Sequence, residues 1–439
     1  MADLHRLDIA GLHGAYAAGE TTPSAVVAQY LARIDRYNPA LNAYVGIDRE
    51  GALAAAALSD QRVAAGDMRA LEGVPIAVKS NIAVKGLEWN AGMEARRGII
   101  AETDAQAVAR LRDAGAIILG TLNMHEAALG ATTDNPWFGR TINPHRDGYT
   151  PGGSSGGSGA AVAASLCLAS LGTDTLGSVR IPSAYNGVYG IKPTHGAISD
   201  GGLAPMSEWL DSIGPLARSL DDVDAVLAVI ADGMDGGPAA FARLLTLNAM
   251  DDLECQPSVM VAYARALEAL GAMPRELFTP SDNAASVRFA GFVISARELG
   301  GHIATIRSDT PDKISPELHF MLDRADGKSD ADTASAADIL HRTGEALRAA
   351  LGSDGVLLMP TAPQAAFPHT ARPPANQAGF TAFANIAGLP ALSIPAGFDE
   401  DRLPVAVQLV GPAGSERALL DLARILDAGL CGYAPPEMN

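Results

Sequence analysis

Residues 152–193 read GGSSGGSGAAVAASLCLASLGTDTLGSVRIPSAYNGVYGIKP, and the rest of the chain is interpreted from them. Two serines, Ser154 and Ser178, sit in glycine-rich turns separated by a helix-like run and a short strand-like run. A glycine-serine tract alone reads as a flexible linker. Here an apolar helix, a strand and a second serine turn follow it, so the two hydroxyls are held at a set separation. Ser178 closes the turn Thr175-Leu176-Gly177 directly after the strand, where successive N–H groups can point at one spot. Such a spot serves as an oxyanion hole, which makes Ser178 a candidate acyl-transfer nucleophile.

A serine nucleophile needs a base. None of the nine histidines has a suitable setting: His125 falls in a polar loop, His195 follows the stretch as KPTH, and the others are scattered. Working outward, the apolar run Gly73-Val-Pro-Ile-Ala-Val-Lys79 reads as a buried strand that delivers a lysine at its C-terminal end. Burial beside hydroxyls lowers the pKa of an amine and turns it into a base. Lys79 is therefore the candidate base, and Ser154 can pass the proton between it and Ser178.

The flanking chain reads as α/β. Helices are expected at Leu7–Ala18, from Thr22-Pro23 to Tyr37, at Glu50–Ala65 and at Asp104–Ala114, the last leading into a strand Ala116–Gly120. Residues 123–149 read as loop with a short helix at Met124–Leu129, and Ser219 caps a helix Leu220–Ile230 with Asp222 in a variant capping box. Residues 233–350 are mainly helical in pattern and carry no chemical motif. Strand signals return at Val356–Met359, Leu392–Pro395 and Val405–Val410, and a Ser415-capped helix closes the chain. With no internal repeat, the expectation is one α/β domain over residues 1–439. Within it, helices occupy residues 1–70 and a variable, mainly helical insertion at 233–350 shapes the substrate pocket.

The chain has 439 residues and a net charge of −18. That charge argues against direct binding to nucleic acid or to an anionic membrane surface. Cys167, Cys255 and Cys431 are far apart without CxxC spacing, which suggests neither a disulfide framework nor a zinc site. The N-terminus lacks a basic region followed by an apolar core, and a cytoplasmic location is expected.

Taken together, these motifs resemble the amidase signature family: GGSSGGS, an alanine-rich helix, GTDTLGSVRIP and GVYGIKPT, with VPIAVKSN around Lys79, LDSIGPLARSLDD at 210–222, and IAGLPALSIPAGF and LPVAVQLVGP near the end. The resemblance covers nearly the whole chain and is weakest at 233–350. It implies a large mixed twisted β-sheet covered by helices on both faces. It also implies a Ser-Ser-Lys triad of Lys79, Ser154 in a cis peptide, and Ser178. The Thr175, Leu176, Gly177 and Ser178 amides would form the oxyanion hole, supported by Gly153, Ser155, Asp174 and Arg180. The reaction implied is hydrolysis of a small carboxamide without metal or organic cofactor; a homodimer is compatible with it.

Leu176 stands where glycine is usual and is expected to adopt an ordinary conformation and narrow the pocket. Ser80 replaces a frequent aspartate, and Asn186 replaces a common cysteine as a packing change. Asp174 and Arg180 could grip an anionic substrate, with an ion pair bracing the turn as the other reading. Trp89, Met93, Trp137 and Leu176 are candidates for the acyl pocket, and Trp209 for the core. Two other readings stand beside hydrolysis: the glutaminase subunit of a tRNA-dependent amidotransferase, and a non-catalytic amidase-like binding protein.

Overall fold

The computed structural model describes residues 3–430 and 432–438 apart from 235 and 249; Cys431 lies outside the described residues. The strands are β1 (Tyr44–Ile47), β2 (Pro75–Lys79), β3 (Ile117–Leu122), the short pair β4 (Asp134–Asn135) and β5 (Gly139–Arg140), β6 (Ala169–Asp174), β7 (Tyr189–Lys192), β8 (Ser212–Ala217), β9 (Arg243–Leu247), β10 (Arg275–Phe278), β11 (Gly355–Pro360), β12 (Ala391–Phe398) and β13 (Pro404–Val410). All but β4 and β5 join one sheet in the order β1-β3-β2-β6-β8-β7-β12-β13-β11-β9-β10. It is mixed: β3-β2-β6 and β11-β9-β10 run parallel, and the centre is antiparallel.

Every residue of β2, β3, β6, β7, β8, β11 and β13 is buried. Strands with no exposed alternate side chain need cover on both faces, and helices supply it. Most are made as the sequence suggests. The helix Pro23–Leu41 starts on Thr22, whose hydroxyl accepts from Ala25 N–H, and buries Val26, Val27, Tyr30, Leu31 and Ile34 on one face. Among the described residues no helix is long and apolar enough to cross a membrane.

Three expectations, at Met124–Leu129, Ser219 and Ser415, are corrected. Residues 233–350 hold β9 and β10 beside their helices, and these extend the main sheet by two parallel strands. Their pattern is obscured because β10 is an edge strand whose Arg275, Glu276 and Leu277 are exposed. The Met124–Leu129 helix is a single 3-10 turn, Glu126–Ala128, with Ala127 and Ala128 left-handed at φ 50° and 62°. Ser219 caps its helix by accepting from Asp222 N–H, but the Asp222 carboxylate takes the Ile9 N–H instead of closing the box. Ser415 precedes the last helix without capping it.

The pairing of β2 with β6 builds the site. Val78 lies level with Leu171 in parallel register, so both strands end on the same edge of the sheet. The C-terminal ends of parallel strands are where α/β sheets place ligands. Lys79 comes off one such end, and Asp174 with the following turn comes off its neighbour.

Candidate active site

Lys79 is fully buried, and its Nζ donates to Ser154 Oγ at 2.7 Å and to Thr173 Oγ1 at 2.8 Å. Asn81 Nδ2 donates to the same threonine hydroxyl at 3.1 Å. No carboxylate among the described residues lies within ion-pair distance of Nζ. Burial pushes the Lys79 amine down to about 7, against the upward pull of Asp211 and Asp174. Asp211, half-buried, is held by the Thr175 hydroxyl at 2.5 Å and the Met206 amide at 2.8 Å. Ser80, beside the lysine, is buried, and its hydroxyl makes no hydrogen bond among the described residues.

The glycine-serine loop is no linker: residues 152–158 are all buried. The Gly153–Ser154 peptide is cis. Thr133 clasps the loop, its Oγ1 donating to the Gly152 carbonyl at 2.7 Å and accepting from Gly156 N–H at 3.1 Å. The Ser154 carbonyl accepts from His125 N–H. Gly157 is required by space, since a Cβ there would sit 2.4 Å from the Asn123 carbonyl oxygen. Ser155 Oγ donates to the Thr173 carbonyl at 3.1 Å and accepts from its amide at 3.2 Å, locking the loop to the end of β6. Asn186 does more than fill the space of a cysteine. Its Nδ2 donates to the Pro151 and Pro182 carbonyls at 2.7 Å each, tying the loop's entry to the helix Arg180–Asn186.

Ser178 is half-buried, and its hydroxyl makes no hydrogen bond among the described residues; its carbonyl accepts from Ser155 N–H at 3.3 Å. The turn before it is organised by Asp174, whose carboxylate accepts from Gly177 N–H at 2.7 Å, from Val179 N–H at 3.2 Å and from Arg180 Nε and Nη2 at 3.0 Å each. Gly177 is therefore corrected as an oxyanion donor, because its N–H is spent on Asp174. The Thr175, Leu176 and Ser178 amides remain. Gly177 has φ +130°, and a side chain there would strike Thr381 Oγ1, so its role is backbone shape.

Asp174 and Arg180 form an ion pair with neither side chain exposed. Asn385 and Gln408 complete it, accepting from Arg180 Nη2 at 2.6 Å and Nη1 at 2.8 Å. Despite its burial, the Arg180 guanidinium holds the Asp174 carboxyl down to about 2. The pair braces the turn and does not reach the cavity beside Ser178. Arg180→Met leaves the Asp174 charge buried with its main partner gone. It is expected to cost about 3–5 kcal/mol of stability, read as a shift of the urea midpoint.

A cavity of about 180 Å³ opens over Ser178, with Gly153, Leu176, Ile181, Met206 and Phe292 in its walls. Of the predicted acyl-pocket residues the structure brings only Leu176 there. Leu176 is not left-handed, and its side chain rests on Gly291 of the helix Ala284–His302. The other three are corrected. Trp89 donates from Nε1 to the Asn81 carbonyl and lies under the Arg96 guanidinium at 4.6 Å. Trp137 donates to Glu126, and Met93 is buried in a separate small cavity with Arg96 and Leu299. Trp209 is half-buried against His341, with ring centres 4.6 Å apart. Thr173, Asp211 and Asn385 were not singled out in sequence, although Thr173 and Asp211 fall inside the quoted motifs.

The Amidase family model matches residues 25–420. The chain belongs to the amidase signature family. One relative, a subunit of the glutamyl-tRNA(Gln) amidotransferase of Deinococcus deserti, is 35% identical over 479 residues, covering 96% of this chain and 98% of that protein. Among solved structures, one chain comes from a vestigial protein complex that bears on the origins of an s-triazine catabolic enzyme. It superposes with a TM-score of 0.91 at 29% identity, covering 98% of this chain and 100% of that one. A solved amidase gives 0.87 at 31% identity, covering 97% and 100%. As an amidase signature protein the chain is an amidohydrolase, an enzyme of the amide C–N bond.

Proposed function

We propose that the protein hydrolyses a small carboxamide to a carboxylate and ammonia or an amine through an acyl-enzyme on Ser178. The observation that carries this is the buried Lys79 amine, hydrogen-bonded to two hydroxyls with no carboxylate beside it. With its pKa pushed down to about 7, the Lys79 amine is part neutral at pH 7, and the neutral form takes a proton. Ser178 Oγ attacks the substrate carbonyl carbon, its proton passing to Ser154 Oγ as the Ser154 proton passes to Lys79 Nζ. The hydrogen bond between the two serines forms in the substrate complex, as catalytic contacts commonly tighten on binding. The Thr175, Leu176 and Ser178 amides receive the oxyanion. Collapse expels the amine, which takes the proton back along the same path, and water then attacks the acyl-enzyme to release the carboxylate. Esters, carbamates and hydrazides fit the same chemistry as side substrates.

A second reading is supported by the relatives' names, and more directly than the first: the glutaminase subunit of a tRNA-dependent amidotransferase. There the amide is glutamine, and the ammonia passes to a partner protein. One experiment addresses both. Ammonia and amine release is measured over a panel of amides including glutamine, with Ser178→Ala as blank, and the native protein is purified for bound partners. Turnover of several small amides by the chain alone supports the first reading. Release from glutamine only, with partners retained, supports the second. No turnover and no labelling of Ser178 by a fluorophosphonate would reduce the chain to a binding protein.

Leu176 limits the acyl group in either case. Leu176→Ala removes a side chain wedged between the oxyanion turn and Gly291. It is expected to shift preference toward larger acyl groups by about tenfold in kcat/KM, measured as the ratio between a butyramide and a benzamide substrate.

A further inference from the structure

The cavity over Ser178 is apolar on most sides, with Leu129, Leu176, Ile181, Met206, Phe292 and Met321 in its walls. Three polar side chains other than Ser178 reach it, and two are committed elsewhere. Ser295 Oγ donates to the Gly291 carbonyl at 2.8 Å. Gln377 donates to the Pro374 carbonyl at 3.2 Å and accepts from the Tyr185 hydroxyl at 3.3 Å. The third is Arg288, half-buried on the helix Ala284–His302.

Among the described residues Arg288 has no ion-pair or hydrogen-bond partner, and none of the residues lining the cavity is acidic. The charged group that acts on it is another cation, Arg324, which stacks over Phe289 and Phe292 at 5.3 and 6.0 Å. Lys328 lies 5.4 Å over the same Phe289 ring. In a chain of net charge −18, Arg288 is thus the one charged side chain among the described residues of the wall, with no carboxylate beside it. A guanidinium taken partly out of water beside a second one is unfavourable until an anion arrives.

Resting on the amidase reading above, we propose that Arg288 is the specificity residue of this site and that the substrate is an ω-amide of a short carboxylic acid. Its carboxylate pairs with Arg288 while its carboxamide reaches Ser178. A guanidinium receives a carboxylate through two parallel N–H donors. A monoanion is the charge one guanidinium neutralises, whereas a phosphate dianion would leave charge in an apolar cavity. The volume of about 180 Å³ matches about six water volumes, so the stem between the two ends is a few methylenes long.

The test is binding, which needs no turnover. Titration calorimetry on the Ser178→Ala protein compares succinamate and glutaramate with the neutral diamides succinamide and glutaramide. The anions are expected to bind about tenfold to a hundredfold more tightly, with the advantage shrinking as salt rises. Arg288→Met is expected to erase the preference by weakening the anion far more than the diamide, and Arg288→Lys to keep part of it. In the active enzyme Arg288→Met raises KM for the anionic amide about tenfold more than for the neutral diamide and leaves kcat on both within about twofold. Equal affinity for anion and diamide, or a preference that survives Arg288→Met with an unchanged melting temperature, overturns the proposal. Failure of Ser178 to react with a fluorophosphonate is a separate outcome: it overturns the amidase reading, and the substrate claim with it, even where the anion binds Arg288.

Discussion

Ser178→Ala is expected to lower amide turnover by about 100,000-fold or more, with the fold and substrate affinity retained. The expectation rests on position and isolation. The Ser178 hydroxyl is half-buried in the cavity wall and holds nothing else in place, since it makes no hydrogen bond among the described residues. The turn around it is fixed through the backbone and through Asp174, so removing Oγ leaves the Thr175, Leu176 and Ser178 amides where they are. Single-turnover assays with an activated ester, alongside melting curves, separate loss of the nucleophile from loss of structure. A variant that keeps more than a hundredth of the wild-type rate would remove Ser178 from the mechanism.

Lys79→Met is expected to lower kcat by about 1,000-fold, and the wild-type pH profile gives the stronger check. With burial pushing the Lys79 amine down to about 7, kcat/KM falls by about tenfold per unit below that pH and levels off above it. The same group makes a signed contribution to stability. Its folded value lies below its ordinary 10.5, so between about 7 and 10.5 the unfolded chain binds the extra proton. This contribution is therefore least favourable below pH 7 and improves as pH rises through that window. Lys192, also buried and also pushed down to about 7, adds a term of the same sign. Lys79→Met should flatten the stability profile in proportion while leaving the Lys192 share. A rate profile with no inflection near 7 would remove Lys79 as the base.

The sequence carries most of the fold because buried strands announce themselves as short apolar runs. Gly73 to Lys79 and Val405 to Val410 are examples, and both lie in the sheet within two residues of their expected ends. β9 and β10 escape notice because they are short, and β10 is an exposed edge where charge is tolerated. At the site, residue types reveal the groups that do chemistry and conceal the groups that place them. Lys79 and Ser154 are legible through their company: a lysine ends an apolar strand, and the glycine-serine turn is followed by an apolar helix, a strand and a second serine turn. Thr173 and Asn385 are ordinary residues whose importance comes from the strand register and from a contact across 211 residues of chain. Trp89 and Trp137 mislead for the complementary reason: large aromatics suggest a pocket wall, yet their indole N–H groups are spent on Asn81 and Glu126, away from Ser178.

The bracing of the oxyanion turn has a consequence for synthesis. Lys79, Ser154 and Ser178 are made about 200 residues or more before Thr381, Asn385 and Gln408. Yet the Leu176 carbonyl is held by Thr381, and the Arg180 guanidinium by Asn385 and Gln408. Until these late residues emerge and β12 and β13 dock, Asp174 and Arg180 lack the neighbours that fix the turn. A chain cut before Thr381 thus keeps Lys79, Ser154 and Ser178 but loses the side chains that hold the turn beside them.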